Sequence, residues 1–317
     1  MPDTPALTPL WPADAAGLDR AVAVLRSGGT LAFATETVYG LGADARDAAA
    51  VAAIFEAKAR PGFNPLIVHV ADALAAQDLV HWSPQAEALA QAFWPGPLTM
   101  VLPLRADAGI ARRVTAGLDT LAVRVPAHPV AQALLRAFGG PVAAPSANRS
   151  GQISPTRSAH VLAGLTGRIG AVLEGGACAV GLESTILAPG SPARLLRPGT
   201  ITAAQIEPIT GLLAGARSGV ITAPGQLASH YAPRAAIRLN ATEWQTNEAR
   251  LGFGPVPCDL NLSAAGDLAQ AAANLFDHLH RLDATGAQVI AVTPVPDSGE
   301  GVAINDRLRR AAAPRES

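Results

Sequence analysis

Lys58 and Arg60 set two cations two residues apart in Lys-Ala-Arg-Pro-Gly-Phe-Asn-Pro, residues 58–65, and Lys58 is the only lysine in the chain. An ammonium and a forked guanidinium beside a Pro-Gly turn suit a polyanion such as a triphosphate. The same pair at a helix end would also offset the C-terminal dipole, which is the commoner use of such cations. Several familiar phosphate chemistries are excluded. A Walker A loop requires Gly-Lys-Ser/Thr, whereas Lys58 stands between Ala57 and Ala59. The Val-Ala-Ile-Lys strand of protein kinases is absent as well. His69 follows in the apolar run Leu-Ile-Val-His-Val, where a lone histidine reads as a satisfied core residue.

Three more segments carry polar residues where strands should meet loops, the place where open α/β sheets bind ligands. Thr35-Glu36-Thr37-Val38-Tyr39-Gly40-Leu41-Gly42 offers hydroxyls, a carboxylate and a phenol beside two glycines; it is equally a well-bonded turn. Ala143 to Thr156 is a run of small and hydroxyl residues whose backbone N–H groups and side chains could cradle phosphate or adenine. Glu183-Ser184-Thr185 pairs with Leu195-Leu196-Arg197-Pro198-Gly199. Arg124 interrupts an apolar strand and needs a carboxylate partner, from the protein or from a substrate. Residues 181–185 read Gly-Leu-Glu-Ser-Thr, so there is no Gly-x-Ser-x-Gly elbow. No zinc spacing and no Gly-x-Gly-x-x-Gly fingerprint occurs, and no protein metal site is expected. Chemistry here would run on positioning and electrostatics.

The elements that must hold these segments alternate between helical and strand patterns from residue 14 to about 210. Helices are expected at 14–27, after Asp47, after Ser83-Pro84 and at 129–138. Strands are expected at 30–35, 66–70, 98–102, 121–125, 142–144, 169–173, 184–188 and 193–197, the last two as a hairpin. This is α/β with a mixed sheet. Residues 212–235 show no periodicity and read as a linker. Beyond it, strands at 236–239, 250–253 and 288–293 and helices at 267–283 and 301–312 make a smaller α/β unit. The expected division is therefore 1–211, 212–235 and 236–317.

Bulk composition agrees with two globular domains: 317 residues, 49% hydrophobic and 15% charged. A net charge of −1 argues against a protein that coats nucleic acid. Cys178 and Cys258 stand apart, in no metal spacing, and read as reduced thiols. No secretory leader and no run of about 20 apolar residues is present, so a cytoplasmic protein with no membrane partner is expected.

Taken together the segments resemble the threonylcarbamoyl-AMP synthase family in its two-domain form, with a YrdC-like catalytic domain. The stretches that carry the resemblance are TETVYGLGADA (35–45), KARPGFNPLIVHV (58–70), FWPGPLTMVL (93–102), LAVRVPAHP (121–129), PVAAPSANRSGQISPT (141–156), STI (184–186) and LLRPGTI (195–201). SHYAP (229–233) and GEGVAINDRLRRAA (299–312) resemble the linker and second domain. The resemblance implies a YrdC-like mixed twisted sheet joined by a long linker to a smaller Rossmann-like α/β domain. It also implies synthesis of threonylcarbamoyl-AMP from L-threonine, bicarbonate or CO2, and ATP with Mg2+, releasing pyrophosphate. The product would pass to a threonylcarbamoyl transferase complex acting on tRNA, and the resemblance also allows weak RNA binding by the chain itself. By the same resemblance, Thr37, His69, Arg124, the Ala144 backbone and Ser184 would hold threonine, with Arg124 on its carboxylate. Lys58, Arg60, Asn64, Thr120, Ser146, Ser154 and Arg197 would hold ATP, with Lys58 and Arg60 serving catalysis and Tyr231 closing over the nucleotide. Two alternatives share this domain. One is a non-catalytic RNA-binding module; the other, a hydrogenase-maturation enzyme, would need cysteine pairs that two isolated cysteines cannot supply.

Overall fold

The structure is a computed structural model and describes residues 7–215, 223 and 230–314. The first half of the larger domain runs β1 (Leu10–Trp11), α1 (Ala15–Arg26), β2 (Leu31–Phe33), β3 (Gly40–Asp44), α2 (Ala48–Lys58), β4 (Ile67–His69), α3 (Ala73–Gln77) and α4 (Pro84–Phe93). It continues with β5 (Leu98–Pro103), β6 (Thr120–Arg124), α5 (Pro129–Phe138), β7 (Val142–Ala143), α6 (Ser158–Leu165), β8 (Ala171–Leu173), β9 (Thr185–Ala188), β10 (Arg194–Arg197), α7 (Ala203–Thr210) and β11 (Ala214–Gly215). Helix starts follow from local chemistry. Asp14, Asp47 and Ser83 each accept a backbone N–H of the first turn, and Pro84 and Pro129 open their helices.

Among the described residues these strands form one sheet of 11, in the order β1-β8-β2-β3-β7-β4-β6-β5-β9-β10-β11. Parallel pairs (β4 with β6, β5 with β9) mix with antiparallel ones (β2 with β3, β5 with β6). The expected hairpin of β9 and β10 is present. Most expected elements appear within a few residues of their positions. Strand β3 was hidden in sequence because Gly40-Leu41-Gly42 reads as a turn. A Cβ on Gly42 would lie 2.8 Å from both Phe33 and Val142 side chains, so close packing excludes any larger residue there. Helices α3, α6 and α7 are also additions: α3 is short, α6 has no side-chain cap and α7 carries Pro208 inside.

The expected linker begins with β11, which pairs in parallel with β10. Its central part, 216–222 and 224–229, lies outside the described residues. The smaller domain contains β12 (Ala236–Arg238), β13 (Glu248–Gly252), β14 (Leu260–Asn261), α8 (Leu268–Ala284), β15 (Val289–Val292) and α9 (Gly301–Ala312). Its four strands are all parallel, ordered β12-β15-β13-β14.

The two domains share a core rather than touching at a point. Val38, Ile153 and Leu182 from the first join Leu275, Phe276 and Leu279 of α8 in one buried cluster. Gly181 shows how close the approach is. It has φ +72°, and a Cβ there would stand 2.5 Å from the Ala273 backbone of α8. No helix among the described residues is long and apolar enough to cross a membrane.

Candidate active site

A cleft partly open to solvent lies where the segments singled out in the sequence converge. Thr37, Arg60, His69, Arg124, Ala144, Ser146, Ser184, Arg197 and Tyr231 all line it, joined by Glu183 and His230. Hydrogen-bond register explains the convergence. His69 pairs with Arg124 across β4 and β6, and with Val142 across β4 and β7, so three segments end at one place on the sheet.

Arg124 is buried and held on three sides, with N–H groups of its fork left over for a ligand. Its guanidinium donates to Glu36 Oε1 at 2.6 Å, Thr37 Oγ1 at 2.9 Å and the Gly96 carbonyl at 3.2 Å. The carboxylate partner that the sequence demanded is thus Glu36. The other Glu36 oxygen is buried with no partner. His69 sits beside this pair with Nδ1 unpartnered, and burial together with the Arg124 charge lowers its pKa to about 3. It is a neutral imidazole at the cleft wall rather than a passive core residue.

Ala59 holds left-handed backbone at φ 50°, ending α2 and sending Lys58 and Arg60 in different directions. Lys58 turns inward. Its Nζ donates to the carbonyls of Ser146, at 2.5 Å, and Asn148, bracing the loop that lines the cleft. Arg60 lines the cleft itself while donating to the carbonyls of Asn64 at 3.2 Å and Pro65 at 2.9 Å. Arg197 donates to the Ser184 carbonyl at 3.1 and 2.9 Å, and the Ser184 hydroxyl meets Thr99 at 2.7 Å. Lys58, Arg60 and Arg197 are buried, and among the described residues none forms an ion pair with a carboxylate. Burial lowers all three pKa values, that of Lys58 well below the lysine norm and that of Arg60 to about 10. Arg60 and Arg197 at the cleft wall, with Lys58 buried behind the Ser146–Asn148 loop, are a cost to the empty protein unless an anionic ligand offsets it.

Lys58, Asn64, Thr120 and Ser154 do not line the cleft. Asn64 is buried with both amide atoms unpartnered. Ser154 donates to Glu183. Thr120 stands at the start of β6; continuing the β4–β6 register (Ile67 against Ala122) two residues back sets it beside Pro65, which Arg60 holds. Asn64 and Thr120 therefore stand on the Arg60 side of the cleft, while Ser154 stands behind Glu183 and Lys58 behind the Ser146–Asn148 loop.

Glu183, His230 and Arg307 of α9 lie in the segments noted in the sequence, but no role there was evident for any of them. Arg307 falls on the helical stripe 303, 304, 307, 308, 311 with Ala303, Ile304, Leu308 and Ala311, all buried. An arginine on an apolar stripe was the available signal, masked by the many arginines of this chain. Tyr39 is a brace: its hydroxyl shares one hydrogen between Glu174 Oε1 at 2.9 Å and the Gly176 carbonyl at 2.8 Å, and accepts the Gly175 N–H.

Comparison with known proteins decides the family. A family model described as telomere recombination (Sua5, YciO and YrdC) matches residues 23–199, and one described as threonylcarbamoyl-AMP synthase, C-terminal domain, matches 201–313. The threonylcarbamoyl-AMP synthase of Bacillus subtilis is 42% identical over 323 residues, covering 93% of each chain. The chain belongs to the threonylcarbamoyl-AMP synthase family. The Pyrococcus abyssi synthase is 39% identical, covering 93% of this chain and 94% of its own. A crystal structure of P. abyssi Sua5 complexed with L-threonine superposes with TM-score 0.88 at 36% identity, covering 97% and 98% of the two chains. Escherichia coli YciO, at 21% identity and TM-score 0.55, shares the fold of the first domain.

Proposed function

We propose that this synthase-family chain condenses L-threonine, bicarbonate or CO2, and ATP into threonylcarbamoyl-AMP, releasing pyrophosphate. Its cleft seats the amino acid and the nucleotide side by side. The observation that carries this reading is the pair of buried guanidinium groups without a carboxylate ion pair, Arg60 and Arg197, lining a cleft that also holds Arg124 and neutral His69, with Lys58 behind its loop. A triphosphate supplies the missing negative charge. A small zwitterion suits the other end, where Arg124 meets a carboxylate and Thr37, the Ala144 backbone and Ser184 meet polar atoms.

The threonine amine takes up CO2 as a carbamate, one carbamate oxygen attacks the α-phosphorus, and the bond to pyrophosphate breaks. No covalent enzyme intermediate is required. What this chain contributes is alignment of two anions and stabilisation of charge on the phosphoryl oxygens. Arg60, Ser146 and Arg197 face the phosphates, with Asn64 and Thr120 receiving the part of ATP beyond the enclosed cleft. Lys58 shapes the Ser146–Asn148 loop while adding charge, and Ser154 positions Glu183. Mg2+ enters as part of the substrate MgATP. Among the described residues Glu183 is the sole carboxylate lining the cleft, and Ser154 and Arg307 occupy its two oxygens, so these side chains do not form a magnesium cage. Tyr231 and His230, held by the second domain, close the nucleotide side and keep water from the adenylate. The product then passes to a transferase acting on tRNA in the cytoplasm.

Mass spectrometry of the purified chain mixed with L-threonine, bicarbonate and MgATP tests the proposal. The expected product is threonylcarbamoyl-AMP in step with pyrophosphate; AMP without a threonine adduct would refute it.

A further inference from the structure

The second domain reaches into the cleft through one side chain. Arg307 of α9 is fully buried and donates through Nε to Glu183 Oε2 at 2.9 Å. Its other arms meet Asp306 at 2.7 Å and the Glu183 carbonyl at 3.4 Å. The guanidinium carbon lies 5.4 Å from the centre of the Tyr231 ring, within cation–π range. Tyr231 has φ 65°, a left-handed conformation that a bulky residue adopts only when its surroundings impose it. The next turn of α9 completes the grip. Arg310 donates to Asp306 at 3.0 Å, and its carbonyl accepts the His230 N–H at 3.2 Å.

Glu183 is otherwise out of place. It lines a cleft built from cations for an anionic nucleotide, and an unopposed carboxylate there would repel the phosphates. Burial alone would raise its pKa, but the charges of Arg307 and Arg197 and the Ser154 hydroxyl overcome burial and hold it below the ordinary value. Glu183 therefore stays ionised, and its charge must be cancelled from within the protein.

We propose that Arg307 is a positioning residue of the nucleotide site: it cancels the Glu183 charge, pins that carboxylate away from the phosphates and seats the Tyr231 ring over the cleft. The smaller domain is then part of the ATP site and not only an anchor for the linker. This rests on the functional reading above, because it assigns the Arg60–Arg197 wall to the triphosphate.

The test compares wild type, Arg307→Gln, Glu183→Gln and the double variant by pyrophosphate release, with thermal midpoints and ATP affinity by calorimetry alongside. In Arg307→Gln the KM for ATP should rise at least tenfold, with the KM for threonine within twofold of wild type. In Glu183→Gln, where the repelling charge is gone and the Arg307 charge remains, the KM for ATP should fall below that of wild type. The double variant should return the KM for ATP to within about threefold of wild type, which general loss of structure would not produce. A folded Arg307→Gln variant with wild-type KM for ATP overturns the proposal. So does a tenfold rise in Glu183→Gln, and that arm decides the matter if Arg307→Gln does not fold. A wild-type chain that binds ATP but makes no threonylcarbamoyl-AMP would instead defeat the functional reading, and calorimetry on the same variants would still report on Arg307.

Discussion

Replacing Arg60 by alanine removes one guanidinium with two duties. Toward the cleft it is, with Arg197, one of two buried guanidinium groups among the described residues without a carboxylate ion pair; toward its own loop it holds the Asn64 and Pro65 carbonyls at 3.2 and 2.9 Å. Loss of a positioned donor to a transferring phosphoryl group costs about 2–4 kcal/mol of transition-state binding. At about 1.4 kcal/mol per tenfold, kcat/KM for ATP should fall roughly 30- to 1,000-fold. The stability effect is smaller. Two carbonyls lose their donor, which costs about 1–3 kcal/mol, while relief of a buried charge works the other way, since burial already depresses the Arg60 pKa. Arg60→Lys restores charge without the fork and should recover about tenfold of the loss. The assay is pyrophosphate release at varied MgATP with threonine and bicarbonate saturating, on protein shown to be folded by circular dichroism. A folded alanine variant with kcat/KM for ATP within threefold of wild type refutes the argument that these cations bind the triphosphate.

The Arg124–Glu36 pair sits almost wholly out of water, with side-chain exposures of 4% and 9%. Arg124→Ala strands a buried carboxylate and should destabilise the protein by about 3–5 kcal/mol; adding Glu36→Gln should recover most of the thermal midpoint but no threonine turnover. Recovery of turnover would refute the role of Arg124 on the substrate. Burial lowers the pKa of His69 at the cleft wall to about 3, and that of His160, on α6 and stacked against His280, to about 4, against 6.5 unfolded. The unfolded chain thus binds more protons, and stability present above about pH 6.5 is lost as pH falls toward 4, on the order of 1 kcal/mol per unit for each histidine. Thermal midpoints measured from pH 7 to 4 should drop, less steeply in His69→Asn; a flat profile would contradict the burial argument. Deleting residues 212–317 uncovers Val38, Ile153 and Leu182 and removes Tyr231 and Arg307. Turnover should fall at least tenfold with increased binding of a hydrophobic dye, and a fully active truncation would show that the second domain has no part in the site.

Much of the fold was legible because its signals are local. Asp14, Asp47 and Ser83 announce helix starts, and the apolar runs at 66–70 and 121–125 announce strands. Where local signals fail, the cause is packing between distant segments. Gly42 is glycine because Phe33 and Val142 approach it, so β3 looked like a turn. Composition also misleads: in a chain whose positive charge is nearly all arginine, Arg307 could not be told from solvated neighbours such as Arg309.

For the site, the sequence by itself determined which residue types are available. A lone lysine paired with Arg60, an arginine inside an apolar strand and a hydroxyl-rich loop after another strand restrict the chemistry to anions held by position. Tertiary structure alone decided what each one touches. Lys58 and Arg60 are two residues apart, yet left-handed backbone at Ala59 sends one to brace a loop and the other to the cleft. Arg124 finds its carboxylate 88 positions away, and Glu183 finds its counter-charge 124 positions away in another domain. Charges removed from water interact over distances set by folding rather than by chain order, and no spacing along the sequence encodes them.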